Sequence, residues 1–486
     1  MQNIVVLGGG VAGHTAALHL KRLLGNKHSV TVVTPNSQWN WIPSNIWVGV
    51  GKMPATKVVF PLAPVYRRKH ITYHQAAATA IHPNGDANDA QSFVEVISTK
   101  TGSEGNVSRV AYDYLINATG PKLRFDLTPG LGPDGFTDSV CTYSHANVAS
   151  QHLQMSIDKM KQGTPQILIV GMGHGTCTCE GAAFEYVFNV DHVLRENGVR
   201  HLAHLIYLTN EHELGDFGVG GMTFAEKNGA MSSETWMTSL FLEKEIDFIL
   251  GAHVTQVREG EVDFVLIDGT QRTQAFDFAM LLPPFRGVGM HAFDRSGADI
   301  TDTLFAASGF FKVDANYAPK PFEEWTARDW PKTYESPTHP NHFGVGIAFA
   351  PPHGISRPYQ TPDGVVIAPA PPRTGMPSGV QGKTVAQTIA HRIKSGDSMA
   401  SAKTASMASM GAACIASIGA DLRNGAAATI TMSPIVPDTV KYPGTGRDAS
   451  ETFGEVGLAG HWMKRLLHTL FIYKAKARFG WALIPE

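Results

Sequence analysis

The sequence predicts an α/β protein built from two strand–turn–helix units in series, followed by a helical C-terminal segment of different character. Two glycine-rich turns, each directly after a short apolar run, and a basic amphipathic stretch near the C-terminus carry that prediction. The first run, Ile4 to Leu7, leads into Gly8-x-Gly10-x-x-Gly13 and then Ala16-Ala17-Leu18-His19-Leu20, the start of a helix. The second, Ile167-Leu168-Ile169-Val170, leads into Gly-Met-Gly-His-Gly-Thr-Cys-Thr-Cys-Glu-Gly over residues 171–181.

In the first turn Gly8 permits a tight bend, Gly10 lets backbone N–H groups meet a pyrophosphate, and Gly13 lets helix and strand pack closely. With a further strand at Val30 to Val33, this is the spacing of a Rossmann dinucleotide-binding unit. The acid usual after the second strand is missing. Thr34-Pro35-Asn36 stands there, so a ribose contact falls to Thr34 or to a backbone group. Tyr112 to Asn117 reads as a strand ending in the small-residue turn Ala118-Thr119-Gly120. This turn resembles the segment by which two-dinucleotide flavoproteins return the chain to the flavin, and it favours FAD over NAD at the first site.

Composition bounds the rest. A chain of 486 residues holds more than one ordinary domain. A formal charge of −2 gives no electrostatic case for nucleic acid. Four cysteines, Cys141, Cys177, Cys179 and Cys414, are too few for a secreted disulfide scaffold. The N-terminus enters a strand at once, with no export signal, and no apolar run reaches the ~18 residues of a membrane span.

The second unit continues with strands at Leu205 to Leu208 and Phe278 to Leu282. Its turn departs from the dinucleotide fingerprint, because Thr176 takes the third glycine position. Glu211, just past a strand, remains able to hold a nicotinamide ribose, so NADH stays open. Cys177 and Cys179 lie where a second nucleotide would rest. A helix N-terminus lowers a thiol pKa, which reads as a reactive thiol; the competing reading is two small buried side chains. His174 with the two cysteines offers three ligands within six residues and no distant pair, which does not make a metal site. The division this implies is residues 1–150 with 286–395 as a discontinuous FAD-binding domain, 151–285 as a second Rossmann-like domain, and 396–486 as a C-terminal hairpin and membrane-docking helices.

The chain resembles the sulfide:quinone oxidoreductases. Cys179-Glu-Gly-Ala-Ala-Phe-Glu185-Tyr is similar to a family segment Cys-Phe-Gly-Pro-Ala-Tyr-Glu-Phe, which implies a redox-active Cys179 and places Glu185 in the sulfide site. Ser139-Val140-Cys141, with His145-Ala146 after it, resembles a segment that brings a further cysteine and a histidine near the flavin. Leu214-Gly215-Asp216-Phe217-Gly218 resembles a family loop in which histidine is common where Asp216 stands. His342 to Ala348, containing Gly346, resembles the strand at the second flavin contact, and Pro372-Arg373-Thr374-Gly375 resembles the Pro-Lys-Thr-Gly segment over the isoalloxazine. Ala413 to Ala416 and Ser433 to Pro437 follow a family hairpin, with Asn424-Gly425 as its turn. One family cysteine is absent, since Val345-Gly346-Ile347 holds none, so Cys179 must pair with Cys177, Cys141 or another thiol, or act alone through a persulfide.

From His461 to Gly480, Met463, Leu466, Leu467 and Leu470 form one apolar helical face. Lys464, Arg465, Lys474, Lys476 and Arg478 accompany it, with no acid between residues 456 and 485, and Trp462, Tyr473 and Trp481 flank it. This pattern suits a helix in the headgroup region of an anionic leaflet, or else a helix capping the protein's own core. The resemblance implies a peripheral, monotopic membrane protein that takes electrons from sulfide, or a small thiol or persulfide, through FAD to quinone. It names Phe471 and Tyr473 as quinone-channel candidates and leaves the oligomeric state open, a homo-oligomer included. The rivals are a type II NADH:quinone oxidoreductase and a non-enzymatic redox sensor with the same fold.

Overall fold

The computed structural model describes residues 1–226, 229–373, 375–419 and 425–486. β1 (Asn3–Leu7) is buried along almost its whole length, as a strand with helices on both faces must be. It is followed by α1 (Val11–Leu24) and β2 (Ser29–Thr34). β3 (Thr72–His82), β4 (Phe93–Ser98) and β5 (Val107–Ala111) form an antiparallel extension, and β6 (Tyr114–Asn117) returns to the far side of β1. The pairs β1–β2 and β1–β6 are parallel, in the registers Ile4 to Val30 and Ile4 to Tyr114.

After α2 (Tyr143–Lys161) the second sheet begins with β7 (Gln166–Met172). Then follow α3 (Glu180–Glu196), β8 (Ala203–Leu208), β9 (Asp247–Ile249) and β10 (Phe278–Leu282). The order β9-β8-β7-β10 is parallel throughout. Its glycine turn differs from the first: α1 starts at once after Gly10, whereas residues 173–179 are irregular before α3 begins.

β11 (His342–Gly344) pairs in parallel with β6, so a strand more than two hundred residues later completes the first sheet in the order β5-β4-β3-β2-β1-β6-β11. α4 (Met376–Ser395) then crosses α1 at backbone contact. A Cβ on Gly382 would meet the Ala12 carbonyl at 2.3 Å, so this crossing requires glycine. β12 (Ala412–Ile418), β13 (Ala426–Met432) and β14 (Phe453–Gly457) make an antiparallel sheet, the last strand leading directly into α5 (Leu458–Ala475). The hairpin anticipated at the end of the chain is therefore three-stranded; Asn424 of its expected turn lies outside the described residues.

Candidate active site at the cysteine turn

The first glycine turn leaves room where a pyrophosphate would bind and none elsewhere. Gly8 has φ +100°, and a Cβ there would collide with the Ala118 carbonyl at 2.0 Å. A Cβ on Gly10 would meet nothing within 4 Å, so this side of the turn, at the N-terminus of α1, stays open. Thr34 ends β2 and is buried beside Gly9, while Thr119 is tied to Asn117. The Gly120 and Gly375 positions are also open. The Gly346 N–H donates to Gln381 Oε1 at 2.8 Å, which leaves the buried Gln381 Nε2 without a partner. A turn left open at the N-terminus of α1 fits a polar dinucleotide. Thr374 lies outside the described residues.

Arg373 is buried. Its Nη1 donates to the Ile347 carbonyl at 3.0 Å and to the Phe349 carbonyl, its guanidinium lies 4.4 Å from the Phe310 ring centroid, and Nε has no partner. Burial lowers its pKa to about 10, with the Cys179 sulfur opposing that shift. This cation therefore faces the cysteine turn from the C-terminal third of the chain.

Cys179 occupies the N-cap of α3 in the left-handed region, φ +73° and ψ +38°, which a side chain with a Cβ seldom adopts. Burial pushes its thiol up to about 12; Glu180 and Cys141 add to the shift, while Thr178 and Arg373 oppose it. The expectation that the helix N-terminus would lower this pKa is thus reversed, because desolvation of a thiolate outweighs the helix dipole here. Cys177 differs from its neighbour. It is fully buried, its Sγ donates to the Leu282 carbonyl at 3.1 Å, and its pKa is raised well above the usual thiol value by burial. Cys141, just before α2, is pushed up to about 11 by burial. Cys414 lies in β12, as a small apolar residue should, also raised to about 11 by burial, and a Cβ on Gly181 would stand 3.1 Å from its sulfur. All four thiols are free.

Glu185 does not join the turn. It is buried and paired with Lys464 Nζ at 2.9 Å, and it accepts from the Ser417 N–H at 3.1 Å, so it pins α5 and β12 to α3. Two of the five cations of the C-terminal segment point inward, Lys464 to Glu185 and Lys474 to Glu486 at 2.8 Å. Replacing Lys464 with methionine strands a buried carboxylate, so denaturant unfolding should show a loss of about 3 kcal/mol. Adding Glu185→Gln should restore most of it.

Glu211 is not placed to hold a ribose. It is buried, and it accepts from Thr209 Oγ1 at 2.9 Å, Tyr207 OH at 3.2 Å and the Phe217 N–H at 2.9 Å; burial raises its pKa to about 7. The second glycine turn is also covered by the chain itself. The Ala368 N–H donates to the Gly175 carbonyl and the Ala370 N–H to the Cys177 carbonyl, each at 2.8 Å, and Asn210 Nδ2 reaches both carbonyls at 3.2 Å. Residues 368–370 gave no sequence signal for this, because backbone donors carry no residue signature. His145 opens α2, half-buried beside Phe125 with Nδ1 unpartnered, and burial lowers its pKa. Phe471 stacks on Trp41 at 4.8 Å, whereas the Tyr473 hydroxyl is bonded to the Phe479 carbonyl at 2.7 Å.

A flavin-type nucleotide turn, a second unit closed over its own glycine turn and a thiol at the seam define an FAD-binding flavoprotein oxidoreductase. The chain belongs to the pyridine nucleotide-disulphide oxidoreductase family, whose pattern matches residues 2–292. It is 26% identical over 475 residues to the sulfide-quinone reductase of Aquifex aeolicus (strain VF5), covering 98% of this chain and 91% of that one. The crystal structure of the sulfide:quinone oxidoreductase from Aquifex aeolicus superposes with a TM-score of 0.75 at 24% identity, over 98% of this chain and 92% of the other. NDH2 from Plasmodium falciparum in complex with NADH gives a TM-score of 0.64 at 11% identity, over 99% and 97%. These two structural likenesses show the fold.

Proposed function

We propose that the protein is a divergent sulfide:quinone oxidoreductase that works on a membrane surface. The observation that carries this reading is Cys179, held in left-handed backbone at the start of α3 with the buried Arg373 opposite it. A non-glycine residue in that conformation is strained, and such strain clusters at active sites. Gly8, Gly10, Gly13, Thr34, Ala118, Thr119, Gly120, Gly346, Arg373, Thr374 and Gly375 would hold FAD, which when bound supplies a two-electron carrier between sulfur and quinone. Cys179 is the nucleophilic sulfur. Arg373 stabilises negative charge on it. Cys177 is committed to the Leu282 carbonyl, which leaves Cys141 as the other candidate partner thiol. Glu185 serves as an anchor for α5 rather than in the sulfide site, and His145 stays a candidate proton acceptor through its unpartnered Nδ1.

Anaerobic mixing with sulfide, followed by a short-chain quinone, tests the reading: the flavin absorbance should bleach and then return. Rapid bleaching by NADH but not by sulfide would establish the dehydrogenase rival instead, against which the cover of residues 368–370 over the second turn speaks.

Peripheral attachment rests on α5. No helix among the described residues is long and apolar enough to cross a membrane. Trp462, Met463 and Leu466 are about half exposed, and Phe479 and Leu483 nearly fully so. With Arg465 and Arg478 nearby, this outward apolar face fits the headgroup region of an anionic bilayer. Phe471, in an apolar cleft with Trp39 and Trp41, is the better quinone-contact candidate; Tyr473 is turned to its own loop. Met463→Glu with Leu466→Glu should weaken flotation with anionic vesicles by about tenfold or more, at unchanged FAD content.

A further inference from the structure

A chain of hydrogen bonds fastens α5 to the first domain and ends on either side of Cys141. His468 lies on the face of α5 opposite Trp462, Met463 and Leu466. Its Nδ1 is hydrogen-bonded to Ser44 Oγ at 2.8 Å, and its ring meets that of Trp47 edge to face at 5.8 Å. One turn further along α5, Phe471 stacks on Trp41. Both grips fall on residues 41–47, where Ser44 and Trp47 are buried and the helical turn Asn45–Gly49 starts directly after Ser44.

This segment in turn holds the backbone around Cys141. Asn45 is fully buried and closed on Asn40: Asn40 Nδ2 donates to Asn45 Oδ1 at 2.9 Å, and Asn45 Nδ2 donates to Asn40 Oδ1 at 3.2 Å. Each amide also reaches the turn before α2. Asn45 Nδ2 donates to the Val140 carbonyl at 3.1 Å, and Asn40 Oδ1 accepts from the Tyr143 N–H at 3.1 Å. Between these two points the Cys141 N–H donates to Ser139 Oγ at 3.2 Å. Packing is close as well, since a Cβ on Gly49 would stand 2.8 Å from both Val140 Cγ1 and Tyr186 Cε2. The residue inside the clamp is a free, half-buried thiol.

Burial of an amide is tolerated when its donors and acceptors are bonded, so the Asn40–Asn45 pair favours one arrangement and holds residues 140–143 in it. The outward face of α5 is left in water, with Trp462, Met463 and Leu466 about half exposed. A surface that binds α5 only in its docked position stabilises that position, and with it whatever the helix holds.

We propose that Asn40 and Asn45 are positioning residues for the Cys141 thiol, and that α5 sets their grip through Ser44 and His468, so that docking of α5 on an anionic membrane is felt at Cys141. With α5 docked, the clamp is closed and Sγ keeps one orientation. With α5 released, the turn opens and Sγ is exposed. The inference rests on the reading of α5 as the docking helix, and its test reads the thiol without sulfide, NADH or quinone.

The test is the rate of iodoacetamide alkylation of Cys141 at fixed pH, resolved by peptide mass spectrometry. The FAD-loaded protein is measured with and without vesicles of phosphatidylcholine mixed with phosphatidylglycerol. In the wild type, lipid at about ten times the concentration for half-maximal flotation should slow the reaction about tenfold. Asn45→Ala cuts the clamp at the turn, so its rates with and without vesicles should agree within about twofold while flotation stays at the wild-type level. Ser44→Ala cuts one of the two grips of α5 and should show an intermediate vesicle effect. Without vesicles its Cys141 should react about fivefold faster than in the wild type, as for one buried hydrogen bond lost from a local opening. Loosening alone would raise both rates and keep their ratio, so a wild-type ratio in Asn45→Ala overturns the proposal. So does a wild type that floats with the vesicles but shows no slowing at Cys141. If the wild type does not float, the docking reading falls, and the clamp is judged on the vesicle-free rate of Ser44→Ala, where an unchanged rate overturns it.

Discussion

Cys179→Ala is expected to slow flavin reduction by sulfide by a factor on the order of 10³ while FAD content and melting temperature stay near wild type. The backbone argument makes this variant clean. Cysteine and alanine carry the same Cβ and meet the same left-handed penalty at φ +73°, so only Sγ is removed. Cys177→Ala is the matched control. It deletes a buried thiol and its bond to the Leu282 carbonyl, which should cost about 1–2 kcal/mol of stability and leave the reduction rate within a few fold. Stopped-flow absorbance of both variants separates the two thiols. Equal loss of rate in both would make the turn a Cys-x-Cys unit, and loss in neither would remove Cys179 from the chemistry.

Gly13→Ala should yield protein without FAD. A Cβ there would stand 2.1 Å from the Gly8 carbonyl oxygen and 3.0 Å from the Ala118 Cβ, so the turn between β1 and α1 has to open by more than a side-chain adjustment. Gly10→Ala gives the contrast. Its backbone, φ −76° and ψ −168°, accepts any residue, and nothing of the protein lies within 4 Å of the new methyl group. This variant should fold with wild-type stability yet retain flavin poorly, because the open side of the turn is where the pyrophosphate approaches. The ratio of flavin to protein absorbance after gel filtration, read with a melting curve, distinguishes a broken turn from an obstructed one.

The strands around both glycine turns were readable because a buried parallel strand is a continuous apolar run, and Ile4 to Leu7 and Ile167 to Val170 have no other use. The positions of Gly8 and Gly13 were readable for the same kind of reason: close backbone approach admits one residue type. Glu180 was visible as a departure, an acid where the resembling segment has phenylalanine, but its burial without a hydrogen-bond partner among the described residues was not. Whether a carboxylate has a partner depends on residues far along the chain, on the loop at 214–218. The C-terminal basic stretch was read from composition as five cations of one kind. Helix geometry and the distant acids Glu185 and Glu486 divide them into inward and outward sets.

By itself the sequence determined the two glycine turns, the strands that precede them and the presence of thiols at the second turn, since each depends on local sterics and on neighbours within a few residues. Only the tertiary structure decided how the thiols behave. Burial and charge at a point are sums over everything packed around it, and here they raise the Cys179 pKa where the local helix dipole alone would lower it. In the same way, chain contacts between residues 368–370 and the second turn decided that this turn is covered by the protein's own backbone.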